Sequence, residues 1–279
     1  MQKLLQYKEA LYYNKLDSKL RCKICARYCL IDEGKYGFCT VRKNENGKLY
    51  LLNYGLVSAI HLAPSELKPI FHFKPGKIWL SVGTYGCNFR CRGCQNWDIA
   101  HFRFSKEKPL GEIIMPEELV DIAIKENCTG LSFTYNEPTV WYEYTLDCME
   151  LAKERGLHTN YVTNGFMTPE VLKSLKGLLD VFRVDIKGKE KFYSKLCHLK
   201  NYDVVYKNAI LAKELGMHVE VVTNITPGYN DDTDTLRYIA RFIKNELGED
   251  TPWHCTRFVP HLYLSHLPAT PEHLKKHIK

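Results

Sequence analysis

Residues 83–97 read GTYGCNFRCRGCQNW and begin at the end of a short apolar run, KIWLSVG at 77–83. Their three cysteines, Cys87, Cys91 and Cys94, have the spacing C-x3-C-x2-C. Three thiolates on one tight loop can ligate three irons of a [4Fe-4S] cluster and leave the fourth iron open. Structural zinc sites usually take four ligands at paired spacings, so zinc, like three unligated thiols, is the weaker interpretation. The open iron would stand at the carboxyl end of a predicted strand, where α/β folds bind small molecules.

Short β-branched or aromatic runs alternate with longer amphipathic stretches from Lys77 onward. This alternation is typical of βα units that build a parallel sheet. Several of the amphipathic stretches begin with Pro and end just before Gly, as helices commonly do. Six such strands are fewer than the eight of a closed barrel, so the sequence predicts an α/β fold, a partial (β/α)6 barrel with one open side. The predicted strands are KIWLSVG, GLSFTYN, HTNYVTN, VFRVDIK, HVEVVTNIT and WHCTRFVP.

The composition is that of a soluble globular protein. The 279 residues are 45% hydrophobic and 25% charged, with a formal charge of +7. No window holds the roughly 18 consecutive apolar residues of a membrane span. Residues 1–20 lack the apolar centre of a signal peptide, so we predict a short helix there and a cytoplasmic protein without membrane association. Residues 1–76 do not share the βα pattern and are predicted to form an amino-terminal lobe, before a barrel and carboxyl-terminal tail at 77–279.

Four of the eleven cysteines cluster in the predicted lobe, at Cys22, Cys25, Cys29 and Cys39. Disulfides rarely persist in the cytosol, and so small a lobe buries little core without a metal. We therefore predict a four-cysteine metal site. Zinc and iron both suit four thiolates. The site is either a structural zinc ribbon or an auxiliary iron–sulfur cluster that relays electrons or anchors substrate.

The other cysteines, Cys128, Cys148, Cys197 and Cys255, are scattered along the chain. Free cysteine commonly packs as a small buried hydrophobe, and we predict this for all four. Cys197 lies in the polar stretch KLCHLKN, so it is the scattered cysteine with the least typical surroundings.

The chain resembles the radical S-adenosylmethionine (SAM) superfamily, because C-x3-C-x2-C follows the first strand of a βα array. In that superfamily the amino and carboxylate groups of SAM chelate the open iron. One electron from the reduced cluster then cleaves the sulfonium to methionine and a 5′-deoxyadenosyl radical, which abstracts hydrogen from a substrate. The resemblance implies a radical SAM enzyme with a [4Fe-4S] cluster on the three loop cysteines, SAM as second cofactor, and an electron donor of the flavodoxin or ferredoxin type.

Motifs at the second and third predicted strand ends are similar to SAM-binding segments of that superfamily. TYNEP at 134–138 stands where a Gly-Gly-Glu-Pro motif is usual, which implies that Asn136 and Glu137 bind the SAM amine. YVTNGF is similar to the ribose-contacting segment of glycyl-radical activating enzymes, which implies that Thr163 and Asn164 contact the ribose. Taken singly, Glu137 also fits a helix-start carboxylate, and Asn164 fits a plain turn.

The fourth and fifth strand ends carry the remaining motifs. VDIKG is similar to an Asp-x-Lys segment of the same enzymes, which implies that Asp185 and Lys187 meet the SAM carboxylate. A solvated ion pair is the alternative for these two residues. NITPGYND matches a segment whose backbone lies near the adenine, at Thr226, Pro227 and Gly228.

Within the superfamily, the chain is most similar to the AmmeMemoRadiSam-system radical SAM enzymes, which are homologues of pyruvate formate-lyase activating enzyme. The similarity rests on residues 21–42, 81–97, 134–144 and 252–271.

Two positions depart from the pattern of that family. Gly93 stands where an aromatic residue usually packs near the adenine, so Tyr85, Phe89 or Trp97 is expected to cover the base. In the last-strand loop a histidine is common, but its place is taken by Val259. His261, two residues further on, is expected at the surface.

Two classes of function fit these observations. The resemblance implies an enzyme that abstracts hydrogen from a protein or small-molecule substrate, with glycyl-radical activation as the narrower expectation. The alternative is a metal-stabilised nucleic-acid-binding or RNA-modifying protein that uses the four-cysteine lobe and the charge of +7. Lys and Arg are spread over the helices and alternate with Glu, which favours the enzyme and argues against a nucleic-acid partner. Nothing in the sequence identifies the substrate.

Overall fold

The structure, a computed structural model, describes residues 6–270. Its strands are β1 (Gln6–Glu9), β2 (Tyr13–Leu16), β3 (Lys19–Cys22), β4 (Leu30–Asp32), β5 (Arg42–Glu45), β6 (Lys48–Tyr54), β7 (Leu56–Val57), β8 (Ala59–Pro64), β9 (Ile78–Gly83), β10 (Glu112–Ile113), β11 (Gly130–Phe133), β12 (His158–Thr163), β13 (Val181–Asp185), β14 (His218–Ile225) and β15 (Trp253–Arg257). Its α-helices are α1 (Trp97–Ala100), α2 (Pro116–Lys125), α3 (Tyr142–Glu154), α4 (Pro169–Ser174), α5 (Glu190–Leu196), α6 (Asp203–Glu214) and α7 (Thr233–Phe242).

A seven-stranded sheet in the order β15-β14-β13-β12-β11-β9-β8 forms the centre of the molecule. Strands β9 and β11 to β15 are parallel, and the edge strand β8 pairs antiparallel with β9. Helices make the crossovers between the parallel strands, and the curled sheet stays open because it lacks the strands of a closed barrel. The predicted partial (β/α)6 barrel is confirmed, and each predicted strand is present.

The helices that follow the strands start where the sequence signals predicted. Pro116 and Pro169 occupy the first turn of α2 and α4, and Pro138 begins the 3₁₀ turn that leads into α3. Proline is tolerated there because a backbone N–H in the first turn has no hydrogen-bond acceptor within the helix, so its absence costs nothing. Gly156, just beyond α3, has a φ of +74°, which favours glycine. No helix in the described part of the chain has the length and apolarity that crossing a membrane requires.

The amino-terminal lobe consists of two three-stranded antiparallel sheets, in the orders β1-β6-β5 and β2-β3-β4. The helix predicted for residues 1–20 is wrong in the part that the structure describes, which forms β1, β2 and the start of β3. Residues 1–5 lie outside the described residues. The turn Asp17-Ser18 joins β2 to β3, and Asp17 has a φ of +53°, which Asp tolerates better than most residues. Cross-strand pairing, which local sequence does not show, overrides the helical pattern.

The lobe packs directly on the barrel. Arg42 in β5 and Glu143 in α3 are buried and form a two-pronged ion pair with N···O distances of 3.0 and 2.6 Å. Cys25 forms an isolated antiparallel bridge with Met167, beyond the end of β12. Strand β8 belongs to the barrel sheet, so the sheet crosses the domain boundary placed at residue 76, and that boundary stays a prediction.

Candidate functional site

A cavity of about 450 Å³ opens at the carboxyl ends of the parallel strands. Predicted site residues from three segments of the chain line it, namely Cys91, Cys94, Asp185, Lys187 and Thr226. Barrel-like α/β folds bind their ligands at this end of the sheet, in cavities of roughly 300–1,000 Å³. This cavity is therefore the candidate active site.

The cysteine loop, residues 84–96, is held in place by Asn136 at the end of β11. The Asn136 Oδ1 accepts a hydrogen bond from the Thr84 backbone N–H at 3.0 Å, and its Nδ2 donates to the Gly86 carbonyl at 2.8 Å. The side chain is buried, and both ends of its amide are used within the protein. Asn136 thus fixes the start of the loop that carries the cysteines, and its contact with SAM stays a prediction.

Glu137 is buried, and its carboxylate accepts four hydrogen bonds. The donors are the backbone N–H and hydroxyl of Thr139 at 3.1 and 2.6 Å, the hydroxyl of Thr163 at 2.7 Å and the backbone N–H of Asn164 at 2.8 Å. Burial raises the pKa of Glu137, against the opposing effect of these donors. The carboxylate caps the turn before α3 and ties the end of β12 to the end of β11. Glu137 does not line the cavity, and its contact with the SAM amine stays a prediction.

Asn164 connects this carboxylate to the cysteine loop. Its Nδ2 donates to the Asn88 Oδ1 at 2.7 Å and lies 3.9 Å from the Cys87 Sγ. The Asn88 Nδ2 in turn lies 3.4 Å from the Phe166 carbonyl. Thr163 is buried beside Asn164. Asn164 therefore positions the first cysteine of the loop, and the predicted contact of Thr163 and Asn164 with the ribose stays a prediction.

A charge cluster lines the same cavity, with Arg183 buried and with Asp185 and Lys187 half-buried. Asp185 accepts hydrogen bonds from the Arg183 Nη1 and, at 2.7 Å, from the Lys187 Nζ. Burial alone would raise the pKa of Asp185, but the two cations hold it below its usual value. Two cations against one anion leave a net positive wall, which suits a carboxylate ligand. Sequence reasoning missed Arg183, although its position two residues before Asp185 puts both side chains on one face of β13.

The segment after β14 reaches the cavity only in part. Thr226 lines it, and the Thr226 backbone N–H donates to the Asn230 Oδ1 at 2.6 Å. Pro227 and Gly228 do not line it. Gly228 has a φ of +78° and donates its N–H to Asp231 at 2.8 Å, so it shapes the turn. The predicted adenine contact of this segment stays a prediction.

Gly93 lines the cavity, and the carboxyl-terminal segment fills the space of its missing side chain. A Cβ at this position would lie 2.8 Å from the Leu264 Cδ1 and 3.6 Å from the Phe258 Cε2. Both of these residues line the cavity. None of Tyr85, Phe89 and Trp97 lines the cavity, and Trp97 lines another groove, so their expected cover of the base stays a prediction. The apolar cover comes from the far end of the chain.

The last-strand loop contributes Val259, which lines the cavity. His261 does not line it, and the ring Nε2 is buried without a hydrogen-bond partner among the described residues. The prediction of a surface histidine is therefore wrong for the Nε2 atom of His261, which is buried.

Three of the scattered cysteines, Cys128, Cys148 and Cys197, are buried as predicted, whereas Cys255 is half-buried. The Cys197 Sγ lies 3.5 Å from the Cys91 Sγ. Cys197 does not line the cavity, so it packs behind the cysteine loop and leaves the cavity face of Cys91 open.

The four lobe cysteines, Cys22, Cys25, Cys29 and Cys39, surround a second cavity of only about 10 Å³. Strand pairing gathers them, since Cys22 ends β3 and donates its N–H to the Cys29 carbonyl at 2.9 Å. Apolar side chains, two arginines and Asn88 complete the lining. A cavity of this volume holds about one water-sized sphere. The structure thus brings all four predicted thiols around one enclosed space.

A family model described as "Radical SAM superfamily" matches residues 81–243. This chain belongs to the radical SAM superfamily. It is 46% identical over 265 residues to the uncharacterized protein MJ0808 of Methanocaldococcus jannaschii, over 95% of this chain and 78% of that one. It is 27% identical to the pyruvate formate-lyase-activating enzyme of Clostridium pasteurianum, over 61% of this chain and 72% of that one. The predicted homology to activating enzymes is confirmed, and the narrower AmmeMemoRadiSam assignment stays a prediction.

Among solved structures, this radical SAM chain is similar to Streptococcus suis SuiB bound to S-adenosylmethionine. The TM-score is 0.51 at 15% identity, over 72% of this chain and 48% of that one. SuiB bound to its precursor peptide SuiA gives the same TM-score over 77% and 47%. At this identity the similarity shows the fold alone, and this chain spans about half the length of SuiB.

The site fits the SAM and [4Fe-4S] cluster that the superfamily implies. Soft thiolates of the kind that bind iron stand on one wall of the cavity, at Cys91 and Cys94. The charged Asp185 and Lys187 line the same cavity, where they suit the amino-acid part of SAM.

Proposed function

We propose that this chain holds a [4Fe-4S] cluster on Cys87, Cys91 and Cys94 and cleaves SAM reductively in the cavity beside it. The observation that carries the proposal is that Cys91 and Cys94 share one cavity with Asp185 and Lys187. When bound, the cluster supplies the electron that divides SAM into methionine and a 5′-deoxyadenosyl radical. The remaining task of the chain is to bind SAM in one orientation and to keep water from the site.

The charge cluster orients SAM in this proposal. The Lys187 ammonium donates one hydrogen bond to Asp185 and has further N–H donors that can bind a SAM carboxylate. The Arg183 Nε is buried without a partner among the described residues, so it is a further donor at the same wall. Asp185 fixes both cations. Phe258 and Leu264 exclude water from the apolar side of the cavity.

For the lobe cysteines we propose an iron–sulfur cluster rather than zinc. A zinc ion bonds sulfur at about 2.3 Å, so four sulfurs around it lie about 3.8 Å apart. No three of the lobe cysteines have their Sγ atoms within 4.8 Å of one another. Within residues 6–270, the one trio of metal-ligating side chains whose ligand atoms lie within 4.8 Å of one another contains no cysteine. Wider spacing suits a cluster, because each thiolate bonds a different iron.

The two cysteine groups are neighbours, which favours an electron relay between them. The Arg27 Nε donates to the Asn88 carbonyl, and Asn88 both follows Cys87 and lines the lobe cavity. A Cβ on Gly86 would lie 2.7 Å from the Cys39 carbonyl oxygen, so only glycine allows this approach of loop and lobe. We propose that electrons pass through the lobe cluster to the loop cluster.

We propose that an electron donor of the flavodoxin or ferredoxin type binds at an arginine-lined groove of this chain. A groove of about 960 Å³ is lined by Phe38 next to the lobe cysteines and by Arg90, Arg92 and Arg103. Clustered arginines attract an acidic protein and speed its encounter. The groove therefore suits an acidic redox protein close to both cysteine groups. The cytoplasmic location inferred from the sequence stays a prediction.

The substrate class we propose is a glycine in a partner protein. The support is the homology to the Clostridium pasteurianum protein named pyruvate formate-lyase-activating enzyme. Hydrogen abstraction by the radical would then leave a glycyl radical in the partner. A small-molecule substrate is the alternative, and no contact in the described residues separates the two.

Electron paramagnetic resonance tests the SAM proposal. Anaerobically reconstituted and reduced protein should give a cluster signal that changes when SAM is added, and it should form 5′-deoxyadenosine. The triple variant Cys87→Ala, Cys91→Ala, Cys94→Ala is the control and should show neither effect. A signal that stays the same at saturating SAM contradicts the proposal.

The same triple variant tests the lobe metal, because the lobe cysteines are then the one remaining cluster of cysteines in the sequence. We expect about four irons and four sulfides per chain at the lobe site, the content of one [4Fe-4S] cluster. Bound zinc without sulfide would refute the auxiliary cluster, while the SAM experiment would be unaffected by that result.

A further inference from the structure

The end of the barrel opposite the cavity carries a second group of metal-ligating side chains. Glu220 in β14 and His254 in β15 lie in the first half of their strands, and His72 lies in the segment before β9. Glu220 is buried, His254 is half-buried and His72 is exposed. One ligand atom from each residue lies within 4.8 Å of the other two. The group therefore reaches from the barrel interior to the surface.

The distances within this group are close to those of a metal site. The Glu220 Oε2 lies 2.5 Å from the His254 Nε2 and 3.6 Å from the His72 Nδ1. The two imidazole rings are stacked at 24°, with centroids 5.7 Å apart. Zinc bonds nitrogen and oxygen at about 2.0–2.2 Å, so the ligand atoms of a tetrahedral site are roughly 3.4 Å apart. His72 already has this separation, and His254 would withdraw from Glu220 by about 0.9 Å.

We propose that His72, Glu220 and His254 bind a divalent transition metal ion, with Zn²⁺ as the first candidate. Two imidazoles and one carboxylate are a known zinc ligand set, and they leave a fourth position open to water. The exposed His72 gives the ion a route from solvent. This site is independent of the SAM chemistry proposed for the other end of the barrel.

Neighbouring groups hold Glu220 in place as an anionic ligand. The backbone N–H groups of Phe71 and His72 donate to its two oxygens at 3.1 and 2.9 Å, and the His218 Nε2 lies 2.9 Å from Oε1. Burial alone would raise the pKa of Glu220, but the histidines and backbone donors hold it well below its usual value. Partners that fix a ligand in this way strengthen metal binding. A bound ion would cross-link the segment at 71–72 to β14 and β15.

The test uses reconstituted protein whose cysteines are occupied by iron–sulfur clusters and from which loosely bound zinc has been removed. Co²⁺ should then bind one further equivalent, with visible d–d absorption and without the charge-transfer band of a cobalt thiolate. In His72→Ala and His254→Ala the affinity should fall roughly 100-fold or more, since loss of a residue that only orients a ligand already costs about 10–100-fold. His61→Ala removes an exposed histidine elsewhere and should bind Co²⁺ unchanged.

His72 is 59% exposed in its side chain, so His72→Ala should fold as the unmodified protein does, which its melting temperature checks. Two results would overturn the proposal. One is an equivalent that persists in both His72→Ala and His254→Ala, because the ion then binds elsewhere. The other is the absence of any further equivalent, which leaves Glu220 as an anchor for residues 71–72 alone.

Discussion

The lobe cysteines and the loop cysteines have opposite surroundings. Cys22, Cys25 and Cys39 are 5%, 9% and 8% exposed around an enclosed cavity of about 10 Å³. The loop cysteines are half-buried, and two of them line a cavity of about 450 Å³. Four thiols around so small a cavity can fill all four ligand positions of a metal site, whereas three thiols leave one position open. The two sites use the same ligand type. They differ in the number of cysteines and in the space beside them, and these two properties decide whether a further ligand can bind.

Substitution within each group separates the two sites and gives the largest effect. Cys91→Ala should abolish 5′-deoxyadenosine formation, because the loop cluster loses a ligand, while the lobe keeps its iron. Cys25→Ala should lose lobe iron and retain cleavage of SAM when dithionite supplies electrons directly. Cys128→Ala removes a buried cysteine outside both groups and serves as the control. If Cys25→Ala also abolishes dithionite-driven cleavage, the two sites are not separable.

We expect the lobe site to depend on the buried pair of Arg42 and Glu143, because Arg42 lines the lobe cavity. Glu143→Gln removes the charge that balances Arg42, whose side chain is 2% exposed. Leaving one buried charge unpaired destabilises a protein by about 3–5 kcal/mol. The free energy of urea unfolding measures this loss, with iron retention as a second readout. Asp203→Asn breaks the exposed pair with Lys207 and should cost about 1 kcal/mol or less. Equal losses in the two variants would contradict the role given to Arg42 and Glu143.

At the open site, Glu137→Gln distinguishes two roles of that carboxylate. If Glu137 holds the SAM amine, loss of a charge-assisted hydrogen bond worth about 1.5–3 kcal/mol should weaken SAM binding roughly ten- to hundredfold. The iron content should then stay unchanged. If Glu137 only positions Thr163 and Asn164, the loop loses iron and stability instead. Titration of SAM against 5′-deoxyadenosine formation, with iron analysis, separates these results. A variant equal to the unmodified protein in both respects excludes both roles.

The arginine-lined groove next to both cysteine groups leads to a prediction about reaction rate, with a smaller expected effect. Arg103→Glu should slow SAM cleavage driven by an acidic protein donor roughly three- to tenfold at low salt, because it weakens electrostatic steering. The effect should fade as ionic strength rises. With dithionite as reductant the rate should not change. Arg237→Glu reverses an exposed charge on α7, outside the groove, and is the matched control. Equal slowing in both variants would place donor docking elsewhere.

The barrel was predictable because its signals are local. Runs such as VFRVDIK alternate with amphipathic stretches, and this periodicity belongs to neighbours in the chain. The amino-terminal segment was not predictable in the same way, because Lys8 and Glu9 are in a strand only through pairing with Leu51 and Tyr50 of β6. Sequence propensity cannot show a partner that lies about 40 residues away.

Some contacts of the candidate site could be predicted from local sequence, and others could not, for the same reason. Cys91 and Asp185 stand in motifs that directly follow or end strands, so their meeting at one edge could be predicted. The cover over Gly93 comes from Leu264, and the proposed metal partners of Glu220, His72 and His254, lie far from it in sequence. Such contacts depend on tertiary packing, which a motif of a few residues does not contain.

The lobe cysteines are translated long before the residues beyond β12 that pack against the lobe. Cys25 bridges Met167, and the Ile24 carbonyl accepts a hydrogen bond from the Thr168 N–H at 3.1 Å. About 140 residues separate the two ends of the bridge, so at about 5–20 residues per second roughly 7 to 28 s pass before they can meet. In that interval thiols that later become enclosed are open to oxidation. The delay therefore exposes the cysteines of the proposed lobe metal site to oxidation before Met167 can pair with Cys25.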